Sequence, residues 1–338
     1  MLSDSSPSLR VMVLKELLDR DEDDPEVQEL LELRNEEPLV SDLIKLQKQN
    51  GAWDSFGENF ISFRDNIYLT SLALQRLGYL GFKSNHAPVQ MAAEFLFSKQ
   101  ETDGSWAMPG NKMRVDEEIG YQMMPIQTAI PLLGLVMCGY SEDDRVESAF
   151  DWLNAQRLDD GAWPVGLSAG NYGRIAGYRR IAHSRWGCRS NTTAVLSCFA
   201  YHPRRRKSKE ARRALDLLLG TDIKQKSNLG FVFARWIGLE RSIGRITFMA
   251  RFDIAFLLDL CWRIGASIED ERVLEFVEYV KNERGPHGLW DYSSQPLANR
   301  WITCNLLRSL KKIDNNTEWY SLEPKTHFQA YSPKNRLY

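Results

Sequence analysis

The stretch Gln156–Trp163, QRLDDGAW, decides the fold. It closes a helix-like run, Asp144–Ala155, with a glutamine, a short Asp/Gly turn and a tryptophan. Near-copies stand at Gln47–Trp53 (QKQNGAW), Lys99–Trp106 (KQETDGSW) and Lys281–Trp290 (KNERGPHGLW), the last without its glutamine. A punctuation mark that recurs between helical runs is the signature of a repeat architecture.

Working outward, each mark separates two kinds of helix. The first kind opens near a threonine and continues as a leucine-rich stripe: LTSLALQRLGY from Leu69, QTAIPLLGLVMCGY from Gln127, NTTAVLSCFAY from Asn191 and ITCNLLRSLKK from Ile302. IAFLLDLCWRIG from Ile254 repeats the pattern with Ala255 in the threonine slot. Apolar on nearly every side, these segments read as inner, covered helices. The second kind carries a charged face, as in EDDRVESAFDWLNAQ, KSKEARRALDLLLG and IEDERVLEFVEYVKN, and belongs outside. With Thr70, Thr128, Thr193, Ala255 and Thr303 as anchors, the units align. Leu9–Leu18 supplies a sixth inner-type helix. The expectation is an all-α chain, an α/α toroid of the α6/α6 type. Its parts are a lead-in at 1–37, the toroid at 38–314 and a surface tail at 315–338. Phe231–Gly238, FVFARWIG, stays open between strand and helix.

Composition bounds the function. A 43% hydrophobic, 26% charged chain with a net charge of -2 fits a soluble globular protein and gives no global pull toward nucleic acid. The basic run Pro203–Arg213 reads as a solvated helix face. No signal-peptide core opens the chain, and no apolar run reaches the roughly 18 residues of a membrane span. Five scattered cysteines without a CxxC pair read as reduced thiols, hence a cytoplasmic expectation. The 10 Trp, 12 Tyr and 15 Phe either fill a large core or line an apolar pocket, and core filling is the default.

The Gln/Gly/Trp marks resemble the QW motifs of squalene–hopene and oxidosqualene cyclases. The alternating helices resemble the toroid those enzymes share with protein prenyltransferase β subunits. LKELLDRDEDDPEVQELLELR, FDIAFLLDL and NRWITCNLLRSLKK look like a group of squalene-cyclase-like single-domain proteins of this length. The resemblance implies a terpene-cyclase-like or prenyltransferase-like enzyme that handles an isoprenoid in an apolar central cavity.

The residues test that implication. The family's cyclases protonate an alkene with a carboxylic acid in a DxDD motif, which requires an acid that is dry, protonated and aimed. Asp21–Asp24 matches DxDD literally but lies before the repeats in solvent-type charge, where a helix cap is the natural reading. Two residues before the aligned slots stand Tyr68, Ile126, Asn191, Asp253 and Trp301. Asp253 alone is a carboxylate, in RFDIA, with its DxDD companions replaced by Arg251 and Ile254. Two readings stand for it: an ion pair or helix cap, and the catalytic acid.

The prenyltransferase zinc set is absent, since Ala255 and Ile302 replace its cysteine and histidine. His183, Cys188 and Asp253 form an alternative set of weaker spacing, so no metal and no cofactor is assigned.

The loop Gly166–Arg189 gathers arginines among glycines and aromatics at the expected mouth. Arg185, Arg189, Arg251, Arg64 and Arg300 precede or enter inner helices, an arrangement that suits an anionic head such as a diphosphate or carboxylate. The competing account pairs these arginines with Asp65, Asp116, Glu117, Glu118 and Asp253. Asp65, Glu117, Glu118 and Asp253 also offer an inverting-glycosidase pair, ranked third. The leading expectation is an isoprenoid- or lipid-handling enzyme, with peripheral membrane contact left open. Its rival is a non-catalytic lipid-binding or interaction scaffold that has lost both the DxDD and the zinc site.

Overall fold

A computed structural model of the chain describes residues 1–56, 65–107, 125–165, 179–220, 229–240, 249, 251–292 and 295–316. In order, the helices are α1 (Pro7–Met12, continued by a π turn, Val13–Leu17), α2 (Pro25–Leu33), α3 (Pro38–Lys45), α4 (Asn66–Tyr79), α5 (Ala87–Phe97), α6 (Pro125–Met137) and α7 (Asp144–Ala155). They continue with α8 (Arg189–Tyr201), α9 (Lys209–Leu219), α10 (Phe231–Trp236), α11 (Ile254–Ile264), α12 (Glu271–Asn282) and α13 (Asn299–Asp314). Among the described residues there is no strand, only an isolated bridge between Arg180 and Cys188. No described helix is long and apolar enough to cross a membrane.

Inner and outer helices alternate as their composition demands. Every residue of α6 is buried, whereas α9 buries Ala211, Ala214 and Leu215, leaves Lys209 exposed and keeps Arg212 and Arg213 half-buried. The inner helices run α4, α6, α8, α11, α13, each packed on the next, and each of α4, α6, α8 and α11 carries the outer helix that follows it. The ring closes where α13 returns to α4. There Asn305 donates its amide to the Tyr79 hydroxyl at 2.5 Å, and the Tyr79 and Trp301 rings lie 6.0 Å apart. The architecture is the expected α/α toroid. The π turn packs along α13, and Leu9, Met12 and Val13 join the same core.

The repeated mark is a clasp made of three hydrogen-bonded parts. The backbone N–H of each clasp tryptophan donates to a threonine hydroxyl on the following inner helix: Trp53 to Thr70 (3.0 Å), Trp106 to Thr128 (3.2 Å), Trp163 to Thr192 (3.0 Å) and Trp290 to Thr303 (3.1 Å). Each indole N–H donates to a carbonyl ten residues earlier, at the end of the preceding outer helix: Leu43, Leu96, Leu153 and Val280, at 2.7–2.8 Å. The Gln47 and Gln100 amides bond the clasp glycine carbonyl and reach the next outer helix at Pro88 and Arg145. A side chain on the clasp glycine would collide with that helix. At Gly51 (φ 86°) a Cβ would meet the Met91 carbonyl oxygen at 2.1 Å, and at Gly104 (φ 89°) the Ser148 carbonyl oxygen at 2.4 Å. The clasp corrects one register: Thr192 rather than Thr193 accepts from Trp163. The residue two before that slot is therefore Ser190, and Asn191 instead accepts the Ile126 N–H at the start of α6.

At the fourth junction Ala255 offers no hydroxyl, and no such clasp is made among the described residues. In its place α10, the stretch the sequence left open, folds as a helix with all six side chains buried. It lies inside the ring. Arg235 donates to the Tyr68 hydroxyl at 2.5 Å and the Trp236 indole to Gln75 at 3.3 Å, both on α4. The Trp236 ring also meets Tyr201 of α8 (5.7 Å) and Phe256 of α11 (5.5 Å). At its start, Gly230 leaves no room for a Cβ beside Ile302 of α13. Four of the five inner helices therefore touch this insert.

Candidate functional site

Asp253 is the N-cap of α11, its carboxylate accepting the Phe256 N–H at 3.2 Å. The same carboxylate accepts the N–H groups of Gly230 (2.8 Å) and Val232 (2.9 Å) at the start of α10. One side chain thus fastens the insert to the ring at the junction without a threonine clasp. Burial pushes its carboxyl up to about 6, against the pull of these N–H donors, which favour the ionised form.

Beside Asp253, where α8, α9, α10 and α11 meet, lies a cavity of about 20 Å³, counted as space open to the centre of a water molecule. Its apolar wall includes Leu218, Val232, Met249, Phe256 and Leu257, and its polar members are Arg189, Thr193, Arg251 and Asp253. The Arg251 guanidinium sits 5.1 Å over the Phe231 ring and 3.8 Å from Glu240 rather than pairing with Asp253. Arg189, the first residue of α8, lies 5.8 Å over the Phe252 ring. Burial lowers its guanidinium to about 10, so it stays charged at neutral pH. Cation–π contact with aromatic faces keeps both arginines positioned in an apolar setting. A space of this size holds about one water, far below the roughly 300–1,000 Å³ of a typical ligand pocket.

The chain matches the model of the squalene–hopene cyclase C-terminal domain over residues 10–172. It is 29% identical over 144 residues to the squalene–hopene cyclase of Zymomonas mobilis, an overlap of 41% of this chain and 21% of that one. It is 29% identical over 122 residues to the lanosterol synthase of Saccharomyces cerevisiae, covering 35% of this chain and 16% of that enzyme. It is squalene-cyclase-like. The chain thus spans about a fifth of the length of the curated relatives it matches. A solved structure of the type II terpene cyclase MstE from Scytonema, with merosterolic acid A as product, aligns over 91% of this chain and 86% of that one, at 14% identity and a TM-score of 0.45.

The remaining candidates of the squalene-cyclase-like chain are placed elsewhere. Arg185 is exposed with its guanidinium over Trp186 (5.2 Å), and Arg300 is exposed and paired with Asp4 at 2.6 Å. Neither lines the cavity. Arg64, Asp116, Glu117, Glu118, the loop from Gly166 to Tyr178 and the tail from residue 317 lie outside the described residues. Asp65 caps α4 through the Tyr68 N–H at 3.1 Å. The literal DxDD is a solvent segment: Asp24 caps α2 through Glu26 N–H, and Glu22 pairs with Lys15. His183, exposed at φ 61°, and buried Cys188 do not join Asp253 as a ligand set. Among the described residues no group of three or more His, Cys, Asp or Glu side chains could hold a metal ion.

Sequence reading missed a buried polar network toward the opposite ends of the inner helices. Asp259, fully buried, accepts from Tyr201 hydroxyl (2.8 Å), Trp262 indole (3.0 Å), Arg263 (2.7 Å) and Arg308 (2.7 Å). Burial alone would raise its carboxyl, but Arg263 and Arg308 hold it below the usual range. The available signal was an aspartate and an arginine set inside otherwise apolar inner helices, FLLDLC and NLLRSL.

Proposed function

We propose that this chain handles an isoprenoid or a similarly apolar lipid within the toroid, with its polar end at Asp253, Arg189 and Arg251. The observation that carries this reading is the cluster beside Asp253, at the start of α8 and α11, where one carboxyl and two guanidinium groups meet an apolar wall. The buried Arg189 and the half-buried Arg251 suit an anionic head, and Thr193 adds a hydroxyl. Arg185, Arg64 and Arg300 belong to the same proposal only as outer contributors to an arginine-rich mouth.

As the acid, Asp253 has useful properties. Its carboxyl titrates near 6, so a minor fraction is protonated at neutral pH. On transfer of the proton to an alkene carbon, the π electrons form the new C–H bond and leave a carbocation. The conjugate base keeps the N–H groups of Gly230, Val232 and Phe256, and the aromatic side chains of Phe231 and Phe256 line the same cavity. A cytoplasmic location, with contact at a membrane surface, fits a ligand of this class.

A second reading has its own observation. Both Asp253 oxygens already accept backbone N–H groups, an arrangement that serves equally well as a structural fastening. In that reading the chain binds a lipid or a partner without chemistry. Lipid extraction and native mass spectrometry of the purified protein, followed by turnover assays with squalene and prenyl diphosphates, separate the two. Product formation abolished by Asp253→Asn supports the enzyme. Ligand without product, indifferent to Asp253→Asn, supports the binder, and no bound or binding isoprenoid sinks both.

A further inference from the structure

We infer that α10 is an internal plug occupying the isoprenoid site, latched by Asp253 and displaced by an apolar ligand. The identity of the ligand rests on the reading above; the plug itself does not.

The insert stands apart from the repeat. Each clasp tryptophan is tied by its backbone to a threonine and by its indole to an outer-helix carbonyl. Trp236 instead sends its indole inward to Gln75 on the far wall. Six residues are too few for an independently stable helix, so α10 holds its form through tertiary contacts alone. Those contacts fall into two groups. One is apolar filling: Phe231, Val232, Phe233 and Trp236 are each at most 2% exposed and occupy the middle of the ring. The other is a few polar fastenings: Asp253 to Gly230 and Val232, Arg235 to Tyr68, and Trp236 to Gln75.

Withdrawing the apolar group would leave a void whose lining loses its contact partners, which is strongly unfavourable in a dry core. A polyprenyl chain supplies contacts of the same kind, so ligand and plug are interchangeable occupants of one space. The cavity of about 20 Å³ left beside Val232 and Asp253 is where the two would exchange. Asp253 is well placed to couple them, because the carboxylate that fastens α10 also borders that cavity. A ligand engaging Asp253 competes directly with the latch.

Hydrogen exchange of the full chain, read by mass spectrometry with and without geranylgeranyl diphosphate, tests the inference. The amides of Phe231–Trp236 are expected to exchange at least about tenfold faster than those of α4, α8, α11 and α13, opening below the global unfolding free energy. Tyr68→Phe and Asp253→Ala each remove a fastening. Both should accelerate α10 further while the ring helices stay protected, and Tyr68→Phe, which leaves the cavity lining intact, should tighten geranylgeranyl diphosphate binding by about tenfold. Bound ligand should raise α10 exchange in the unmodified chain. The plug is overturned if α10 is as protected as the ring in all three proteins, or if the lipid binds with α10 still protected. If α10 opens on its own yet neither geranylgeranyl diphosphate nor geranylgeraniol binds, the plug stands and the lipid reading falls.

Discussion

Asp253 shows how much one carboxyl can be asked to do. It caps α11, fastens α10 and borders the cavity. Its folded carboxyl titrates near 6, above the 3.8 of the free side chain. The native state therefore holds this proton more tightly than the unfolded chain does, and the group favours folding least when ionised. Between pH 4 and 6 its contribution should fall by about 3 kcal/mol and stay level above that. Urea titrations across that range should show the wild type losing about 3 kcal/mol relative to Asp253→Asn as pH rises; a pH-independent difference would remove the argument. The other residue-scale result is the register at Asn191–Thr193. The sequence offers adjacent threonines, and composition cannot say which one faces the clasp. Thr192→Val should cost about 1–3 kcal/mol by orphaning the buried Trp163 N–H, and Thr193→Val about 0.5 kcal/mol or less. Denaturant midpoints of the two variants check the assignment. Asp253 itself was legible because three good marks fixed the alignment around it. Its bonding partners were not, because Gly230 and Val232 lie in the one segment that breaks the pattern.

At the scale of elements, the clasp explains why the mark is so constant. The glycine is set by close approach, the tryptophan by two donors, and the threonine by one acceptor on the next helix. Gly104→Ala should therefore destabilise by about 2 kcal/mol or more, combining a positive φ with collision against the Ser148 carbonyl. Thermal unfolding of that variant beside Gly265→Ala would separate the two causes, since a Cβ at Gly265 (φ 97°) meets nothing within 4 Å. Helix α10 was illegible for a physical reason. FVFARW is short, aromatic and apolar except for Arg235, so neither a 2-residue nor a 3.6-residue period can emerge. Its conformation is decided by the ring around it, through Tyr68, Gln75, Tyr201 and Phe256, none of them close in sequence.

Across the whole molecule, two buried polar systems divide the labour. Clasps tie the units at four of the five junctions, while Asp259 ties α8, α11 and α13 together through Tyr201, Arg263 and Arg308. Asp259→Asn should cost about 3–5 kcal/mol because it leaves buried guanidinium groups unpaired, whereas Arg300→Ala, at an exposed ion pair, should cost about 1 kcal/mol or less. Chemical denaturation of both variants checks the contrast. The toroid was readable from the repeats, but its closure was not, since Tyr79 and Asn305 meet across a separation of 226 residues. The clasps also make the molecule its own optical gauge. Trp53, Trp106, Trp163 and Trp290 are at most 1% exposed, each with its indole N–H bonded to a carbonyl. Four emitters therefore share one dry environment, and their fluorescence should shift to longer wavelength as a group when the ring comes apart. Release of α10 alone would leave that common band where it is and alter only the signal of Trp236, so the colour of the emitted light distinguishes a ring that opens from a ring that unfolds.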